Sequence, residues 1–181
     1  MAAYIAGDAG AFRELFSRYS PLLYRMMLRD LRRPEEARDL VQQTFLHLHR
    51  ARMDFDSRLR FRSWIFTIAL NLKREHFRKV RRRPESPLEA AGTPEPALGS
   101  HGDRAEARQA ILRGLEQLHR DQREVIELHW FDGLSFAEVA EVVGASVAAV
   151  KVRAHRGYVA LRRLLDEQEL PPLPGATEPE E

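Results

Sequence analysis

The sequence SFAEVAEVVGASVAAVKVRAHR, residues 135–156, carries the most specific local pattern in this chain. Ser135 and Glu138 have the spacing of a capping box, in which each side chain satisfies a backbone N–H group at the start of a helix. Gly144 can adopt a positive φ and end that helix, and Ser146 can cap the next one. Two helices joined by a short turn that contains glycine predict a helix-turn-helix unit.

The second helix of this unit is strongly basic. Residues 150–163 contain five basic residues and no acidic residue, while Val147, Val150, Ala154 and Leu161 lie near one face. A basic helix of this kind can lie in the major groove of DNA, with its first turns at the base edges and its arginines on phosphates. Taken alone, the segment is also compatible with a solvated helical hairpin.

The charge of the chain is distributed unevenly along it. The 181 residues include 29 Lys and Arg against 27 Asp and Glu, a formal net charge of +2. Residues 1–83 hold 19 basic and 9 acidic residues, whereas residues 84–107 hold one basic and five acidic residues. Residues 166–181 hold six acidic residues and no basic one. Such asymmetry indicates a polyanionic partner for the basic part.

The same composition divides the chain into two small domains. Residues 84–103 contain four prolines and three glycines, which predicts a flexible acidic linker. The Pro-rich acidic residues 166–181 predict a disordered tail. The remaining apolar residues follow helical spacing, so we expect an all-α fold. Residues 1–83 would form a bundle of about four helices, and residues 104–165 a helix-turn-helix domain of about four helices.

Within the first domain, the sequence predicts where each helix begins. The first helix should run through Tyr19, and Ser20-Pro21 should cap and open a second helix that ends at Leu31. Pro34 should open a third helix. Residues 52–60 break the pattern, and a fourth helix should then run from about Phe61 to Arg83.

The fourth helix combines basic and aromatic residues. Residues 58–83 contain ten basic residues and one acidic residue. At 100° per residue, Trp64, Asn71, Arg74 and Arg78 fall along one edge of the helix. Aromatic and amide groups beside arginines suit unstacked bases and a single-stranded backbone. The competing explanation is that the aromatic residues pack in the core, which we expect for Phe61.

Other classes of function find no support in the sequence. The chain has no cysteine, which excludes a disulfide framework, a Cys-ligated zinc site and a thiol nucleophile. His47 and His49 point about 200° apart on a helix, and we expect neither a metal site nor a cofactor. Nucleotide-binding and hydrolase motifs are missing, so we do not expect an enzyme. Without a signal peptide or a membrane-length apolar segment, we expect a soluble cytoplasmic protein.

Four motifs in a fixed order resemble those of a known family. They are DLVQQTFL at residues 39–46, FRSWIFTIALN at 61–71, DGLSFAEVA at 132–140 and VKVRAHR at 150–156. Their order around a Pro-rich linker resembles bacterial RNA polymerase sigma factors of the compact extracytoplasmic-function (ECF) group. The resemblance implies a transcription initiation factor that binds core RNA polymerase and promoter DNA, and an anti-sigma factor as a further partner.

The resemblance also implies roles for individual residues. The DLVQQTFL helix would dock on the clamp helices of the largest polymerase subunit, and the C-terminal domain would contact the flap of the second-largest subunit. The implied docking residues are Asp39, Leu40, Gln42, Gln43 and Phe45. Phe55 and Asn71 would help to form a pocket for a flipped base of the −10 element.

The two DNA elements would be bound by different helices. The residues expected at the melted −10 element are Phe55, Arg60, Arg62, Trp64, Asn71, Arg74 and Arg78. The residues expected at the duplex −35 element are Ser146, Lys151, Val152, Arg153, His155 and Arg156. Val152 and His155 stand where relatives vary, so the −35 sequence itself does not follow from the resemblance.

Two other classes of protein compete with this interpretation. A helix-turn-helix regulator would bind operator duplex without polymerase, but it has no evident need for the basic helix of the first domain. An RNA-binding or helical interaction protein would use that basic helix and leave the capped unit of residues 135–156 without a role.

Overall fold

The computed structural model describes residues 1–82 and 102–166, and all of its regular elements in these two ranges are helices. The N-terminal part contains α1 (Ala2–Ile5), α2 (Ala9–Leu31), α3 (Pro34–Arg50), a 3₁₀ turn (Arg52–Asp54) and α4 (Phe61–Arg81). The C-terminal part contains α5 (Gly102–Gln117), α6 (Arg120–Ile126), a π turn (Glu127–Phe131), α7 (Phe136–Val143) and α8 (Val147–Asp166). The all-α fold class is confirmed.

Helix α2 is continuous where the sequence predicted two helices, so the predicted break at Ser20-Pro21 is wrong. The carboxylate of Asp8 caps α2 by accepting hydrogen bonds from the N–H groups of Gly10 (2.7 Å) and Ala11 (3.3 Å). Pro21 removes one helical donor, at a cost of roughly 3 kcal/mol in a helix interior. Burial of apolar side chains on the same helix, including Leu23 and Met26, offsets that cost.

The core of the N-terminal part lies between α2, α3 and α4, which pack against one another. Helix α3 turns its apolar stripe inward, and Thr44 stays in this stripe because its hydroxyl donates to the carbonyl of Leu40 at 2.7 Å. Helix α4 buries Ile65, Phe66 and Leu70 completely. One face of α4 is therefore committed to the core, and its other faces are left for contacts outside the bundle.

The C-terminal part is organised around α8, which contacts α5, α6 and α7. Gly157 allows α8 to approach α6 closely, because a Cβ atom there would lie 2.6 Å from Cδ1 of Ile126. A small core between α5, α6 and α8 contains the buried residues Ala110, Leu115, Leu118, Ile126, Leu161 and Leu165. This packing holds the helix-turn-helix unit on a rigid support.

The two parts also contact each other, mainly through α4 and α7. Val139 and Ala140 of α7 belong to the same apolar cluster as Ile65 and Phe66 of α4. Residues 84–101 of the predicted linker lie outside the described residues, whereas its last two residues, Gly102 and Asp103, belong to α5. The predicted tail likewise lies outside them from residue 167 onward. No helix in the described ranges is long and apolar enough to cross a membrane.

Candidate nucleic-acid interface

The helix-turn-helix unit has the geometry that its sequence predicted. The N–H of Glu138 donates to the Ser135 hydroxyl at 3.3 Å, and the N–H of Ser135 donates to the Glu138 carboxylate at 2.9 Å. Gly144 ends α7 with a φ of 68° and a ψ of 42°. The Ser146 hydroxyl accepts from the N–H of Ala149 at 3.2 Å at the start of α8. The capping box, the turn glycine and the second cap are confirmed.

Helix α8 presents a continuous exposed face beyond this turn. Val150 and Ala154 are buried and fix the helix against its support. Lys151, His155, Val152 and Arg156 are exposed and form two adjacent i, i+4 rows. Ser146 is exposed and Arg153 is half-buried. The face therefore combines cationic, imidazole and apolar groups within two turns, which is the range of side chains that contact phosphates and base edges.

The aromatic residues at the start of α4 form a cluster. Phe55, in the loop before α4, lies 4.9 Å from Trp64 and 6.0 Å from Phe61 between ring centroids. Phe61 in turn packs on Tyr19 of α2 at 5.1 Å and against the core, and its side chain is half-buried. Phe55 and Trp64 are also only half-buried. Both rings thus keep an accessible part, and Met53 and Leu59 of the loop before α4 are exposed as well.

Asn71 and Arg78 lie farther along α4 and are exposed. Seven residues separate Trp64 from Asn71, which corresponds to about 10 Å along the helix axis. Phe55 contacts Trp64 and Phe61 near the start of the helix, and the pocket expected between Phe55 and Asn71 stays a prediction.

Arginines of α4 that were expected to face DNA are engaged by the C-terminal part. The Arg74 guanidinium donates to the Glu124 carboxylate at 2.5 Å, and Arg62 donates to the backbone carbonyl of Asp132 at 2.7 Å. Arg60 is exposed.

Burial raises the pKa of Glu138, but hydrogen bonds from Ser135 and the charges of Arg62 and Arg60 lower it below its ordinary value overall. The sequence count of basic residues did not reveal these acidic neighbours.

A buried charged cluster lies beside these contacts. Asp30 of α2 accepts from Lys73 of α4 at 2.5 Å and from Arg123 of α6 at 3.2 Å. Arg123 also donates to Glu127 at 2.7 Å. Arg29 pairs with both carboxylate oxygens of Asp132, at 3.2 and 2.9 Å. Lys73 was counted in the basic run that indicated a polyanion, but its side chain is only 9% exposed and serves the interior of the protein.

The carboxylates of this cluster are shifted in opposite directions. Burial raises the pKa of Asp30, but Lys73, Arg29 and Arg123 lower it by more, so the pKa lies below its ordinary value. Burial and the neighbouring charge of Asp30 raise the pKa of Glu127 above its ordinary value, against the opposing effects of Arg29 and Arg123. Asp30 is therefore stabilised as an anion at this position, and Glu127 is not.

The candidate docking helix α3 presents only part of its predicted residue set. Asp39, Gln42 and Gln43 are exposed on one side of the helix. Leu40 and Phe45 are each only 4% exposed, and Phe45 packs on the rings of Phe16 and Phe12. The prediction that Leu40 and Phe45 make contacts with a partner does not fit their burial, because the apolar stripe that carries them faces the core. They hold the helix that presents the polar residues.

Comparison with known proteins identifies the family. The family model described as Sigma-70 region 2 matches residues 15–83, and the one described as Sigma-70, region 4 matches residues 108–161. The chain is 38% identical to RNA polymerase sigma factor CarQ of Myxococcus xanthus, over 91% of this chain and 94% of CarQ. It is 32% identical to ECF RNA polymerase sigma factor SigW of Bacillus subtilis, over 88% of this chain and 91% of SigW.

A solved structure shows the same fold. The sigma factor RpoE, crystallised with the anti-sigma factor NepR from Bartonella quintana, is similar with a TM-score of 0.67 and 25% identity. That match covers 86% of this chain and 97% of RpoE. The two matched regions, the two relatives and the shared helical architecture agree with the helix-turn-helix geometry and the basic α4. This chain belongs to the ECF group of the sigma-70 family and is a transcription initiation factor that directs RNA polymerase to promoters.

Proposed function

We propose that the two parts of the chain divide promoter recognition between them. The C-terminal part would bind the −35 element as duplex, through the exposed face of α8. The N-terminal part would capture the melted −10 element along α4 and the preceding loop, while the exposed polar residues of α3 dock on the clamp helices of core polymerase. The C-terminal part would also contact the polymerase flap. The chain makes and breaks no bonds in this account.

The exposed face of α8 is the observation that carries this proposal. Lys151, Val152, His155 and Arg156 are turned to solvent on a helix whose start is fixed by a cap, a left-handed glycine and a buried valine. A side chain held on a rigid helix loses little conformational entropy when it contacts a base edge or a phosphate. The aromatic cluster and Asn71 on α4 support the second half of the proposal, because stacking and amide hydrogen bonds suit unpaired bases.

Two variants separate the two halves of this proposal. At a promoter located by mapping transcript starts, Asn71→Ala should reduce opening by roughly tenfold, equivalent to about 1.4 kcal/mol of lost base contact. Permanganate reactivity of thymines around −10 measures opening, and DNase protection at −35 should persist. Lys151→Ala/Arg156→Ala should weaken the −35 protection instead.

The matched control for Asn71 is Gln117→Ala, which removes an exposed amide at the end of α5. It should leave both footprints unchanged. Equal loss of both footprints in the Asn71 and the Lys151/Arg156 variants would contradict the division of roles. Tight, specific binding of promoter duplex by the chain without polymerase would instead favour the helix-turn-helix regulator.

We also propose an anti-sigma factor as a protein partner, because the relative RpoE was solved with one. Such a partner would have to cover surfaces that polymerase uses, and the exposed polar row of α3 is one of them. A protein recovered with the tagged chain from its own cells should compete with core polymerase for the chain. A recovered protein that binds simultaneously with polymerase would contradict this assignment.

A further inference from the structure

The short helix α1 is joined to the end of α3 by the side chain of Tyr4. Tyr4 is only 8% exposed, and its ring lies 5.2 Å from the ring of Phe12 of α2, between centroids. Its hydroxyl and Nδ1 of His49, in the last turn of α3, form a hydrogen bond of 2.5 Å. Tyr4 thereby connects α1 to the turn at which α3 ends.

The same histidine holds the start of the loop of residues 52–60. The Arg52 guanidinium donates to the backbone carbonyl of His49 at 2.7 Å, and Arg52 is the first residue of the 3₁₀ turn. Phe55 follows this turn directly. A series of contacts thus leads from Tyr4 in α1 to Phe55, the residue that is expected at a flipped base.

Tyr4, His49 and Arg52 also line one cleft of about 420 Å³. Burial raises the pKa of the Tyr4 hydroxyl above its ordinary value, and the positive charge of Arg52 opposes this shift, so the two groups interact electrostatically. Because the cleft leaves open space beside Arg52, hydrogen bonding rather than close packing determines where its guanidinium lies.

The loop itself has little buried surface to hold it in place. Its exposed residues are Met53, Asp54, Ser57, Arg58, Leu59 and Arg60. A segment with so few buried side chains can move locally at low cost in free energy. The position of Phe55 therefore depends on the anchor at Arg52 as well as on its own contact with Trp64.

We propose that Tyr4 is a positioning residue for capture of the −10 strand, acting on the loop of Phe55 through His49 and Arg52. The proposal rests on the proposed function, since it assumes that this loop and α4 hold the −10 strand. A loop that is already ordered binds more tightly than one that must be ordered on binding. Loss of the Tyr4 hydroxyl should weaken capture although no group expected to contact DNA is removed.

Tyr4→Phe tests this role because it removes the hydroxyl and keeps the ring. With core polymerase at a mapped promoter, opening measured by permanganate should fall by about fivefold, the effect of one lost hydrogen bond. DNase protection at −35 should not change. The matched control is Tyr24→Phe, which removes the hydroxyl of a half-buried tyrosine elsewhere on α2 and should leave opening unchanged.

Fluorescence of Trp64 reports the position of the loop, because its ring lies 4.9 Å from that of Phe55. Trp130→Phe leaves Trp64 as the only tryptophan of the chain. In this background, Tyr4→Phe should increase the quenching of Trp64 by acrylamide in the free chain, and Tyr24→Phe should not. Combined with Arg52→Met, which already breaks the connection, Tyr4→Phe should change opening by less than about twofold.

Three results would overturn the positioning role. They are opening by Tyr4→Phe equal to that of the control, reduced opening with unchanged quenching of Trp64, and an undiminished loss in the Arg52→Met background. Should circular dichroism show that Tyr4→Phe has lost helix, His49→Ala removes the other partner of the bond and replaces it, with the same expected and refuting results. Failure of the proposed function would appear separately, as no opening by the wild-type chain with core polymerase, and the quenching comparison would still decide whether Tyr4 positions the loop.

Discussion

Asp30→Asn tests whether the buried charged cluster is a structural element rather than part of a DNA-binding surface. The side chains of Asp30 and Lys73 are 8% and 9% exposed, and Asp30 also receives Arg123 at 3.2 Å. Removing one partner of a buried ion pair costs roughly 3–5 kcal/mol, because the other charge stays buried without compensation. Asparagine keeps one acceptor oxygen, so we expect about 3 kcal/mol, the lower end of that range.

Thermal unfolding followed by circular dichroism measures this loss. For a chain of this size, 1 kcal/mol corresponds to about 2–4 °C, so Tm should fall by about 6–12 °C. The control is Asp54→Asn, because Asp54 is exposed in the 3₁₀ turn and its substitution should change Tm by less than about 2 °C. A fall in the Asp30 variant as small as in the control would refute the structural role of the cluster.

Three further predictions concern the stability of the chain and involve Gly144, Asp30 and Glu127. Gly144→Ala should cost about 1 kcal/mol in urea unfolding, because a Cβ there meets open space but the φ of 68° is unfavourable for alanine; no measurable loss would contradict the left-handed turn. The contribution of Asp30 to the free energy of unfolding is complete above its ordinary pKa of 3.8 and is lost as the pH falls through its lower folded pKa. Wild-type stability should therefore decline below pH 4, and an equally steep decline in Asp30→Asn would contradict this assignment. The pKa of Glu127 is raised instead, so its contribution to the free energy of unfolding is lost as the pH rises. Glu127→Gln should therefore lower the free energy of unfolding at pH 7 by less than Asp30→Asn does.

The helix-turn-helix unit could be predicted from sequence because its determinants are local. Ser135 and Glu138 are three residues apart, and Gly144 needs only its own backbone freedom to end the helix. The two caps and the turn of this unit each form between residues that lie within a few positions of one another. The sequence alone therefore contained the information that the structure displays there.

The predictions from sequence were wrong where residues far apart in the chain determine the structure. Pro21 predicted a break, but packing of α2 against α3 keeps the helix continuous. Lys73 looked like one more cation in a basic run, while its partner Asp30 lies 43 residues away. Arg74 and Glu124 are separated by 50 residues, and Arg29 and Asp132 by 103. Counting charges along the sequence cannot identify which of them neutralise one another after folding.

For the docking residues of α3, the family motif and the helical spacing gave different predictions. Leu40, Val41, Thr44, Phe45 and Leu48 follow the helical spacing of an apolar stripe, whereas the family motif places Leu40 and Phe45 among the contacts of a partner. The structure buries both side chains, so the spacing was the better guide to their location. A motif indicates which helix has a role, and the periodicity of its apolar residues indicates which face is free for that role.

Mapping of transcript starts measures whether this chain directs core RNA polymerase to specific promoters. Core RNA polymerase would transcribe genomic DNA from the source organism with and without the purified chain, and 5′ ends would be sequenced. We predict a set of starts that appear only with the chain, share sequence elements near −10 and −35, and weaken with both Asn71→Ala and Lys151→Ala/Arg156→Ala. Identical starts with and without the chain would contradict it.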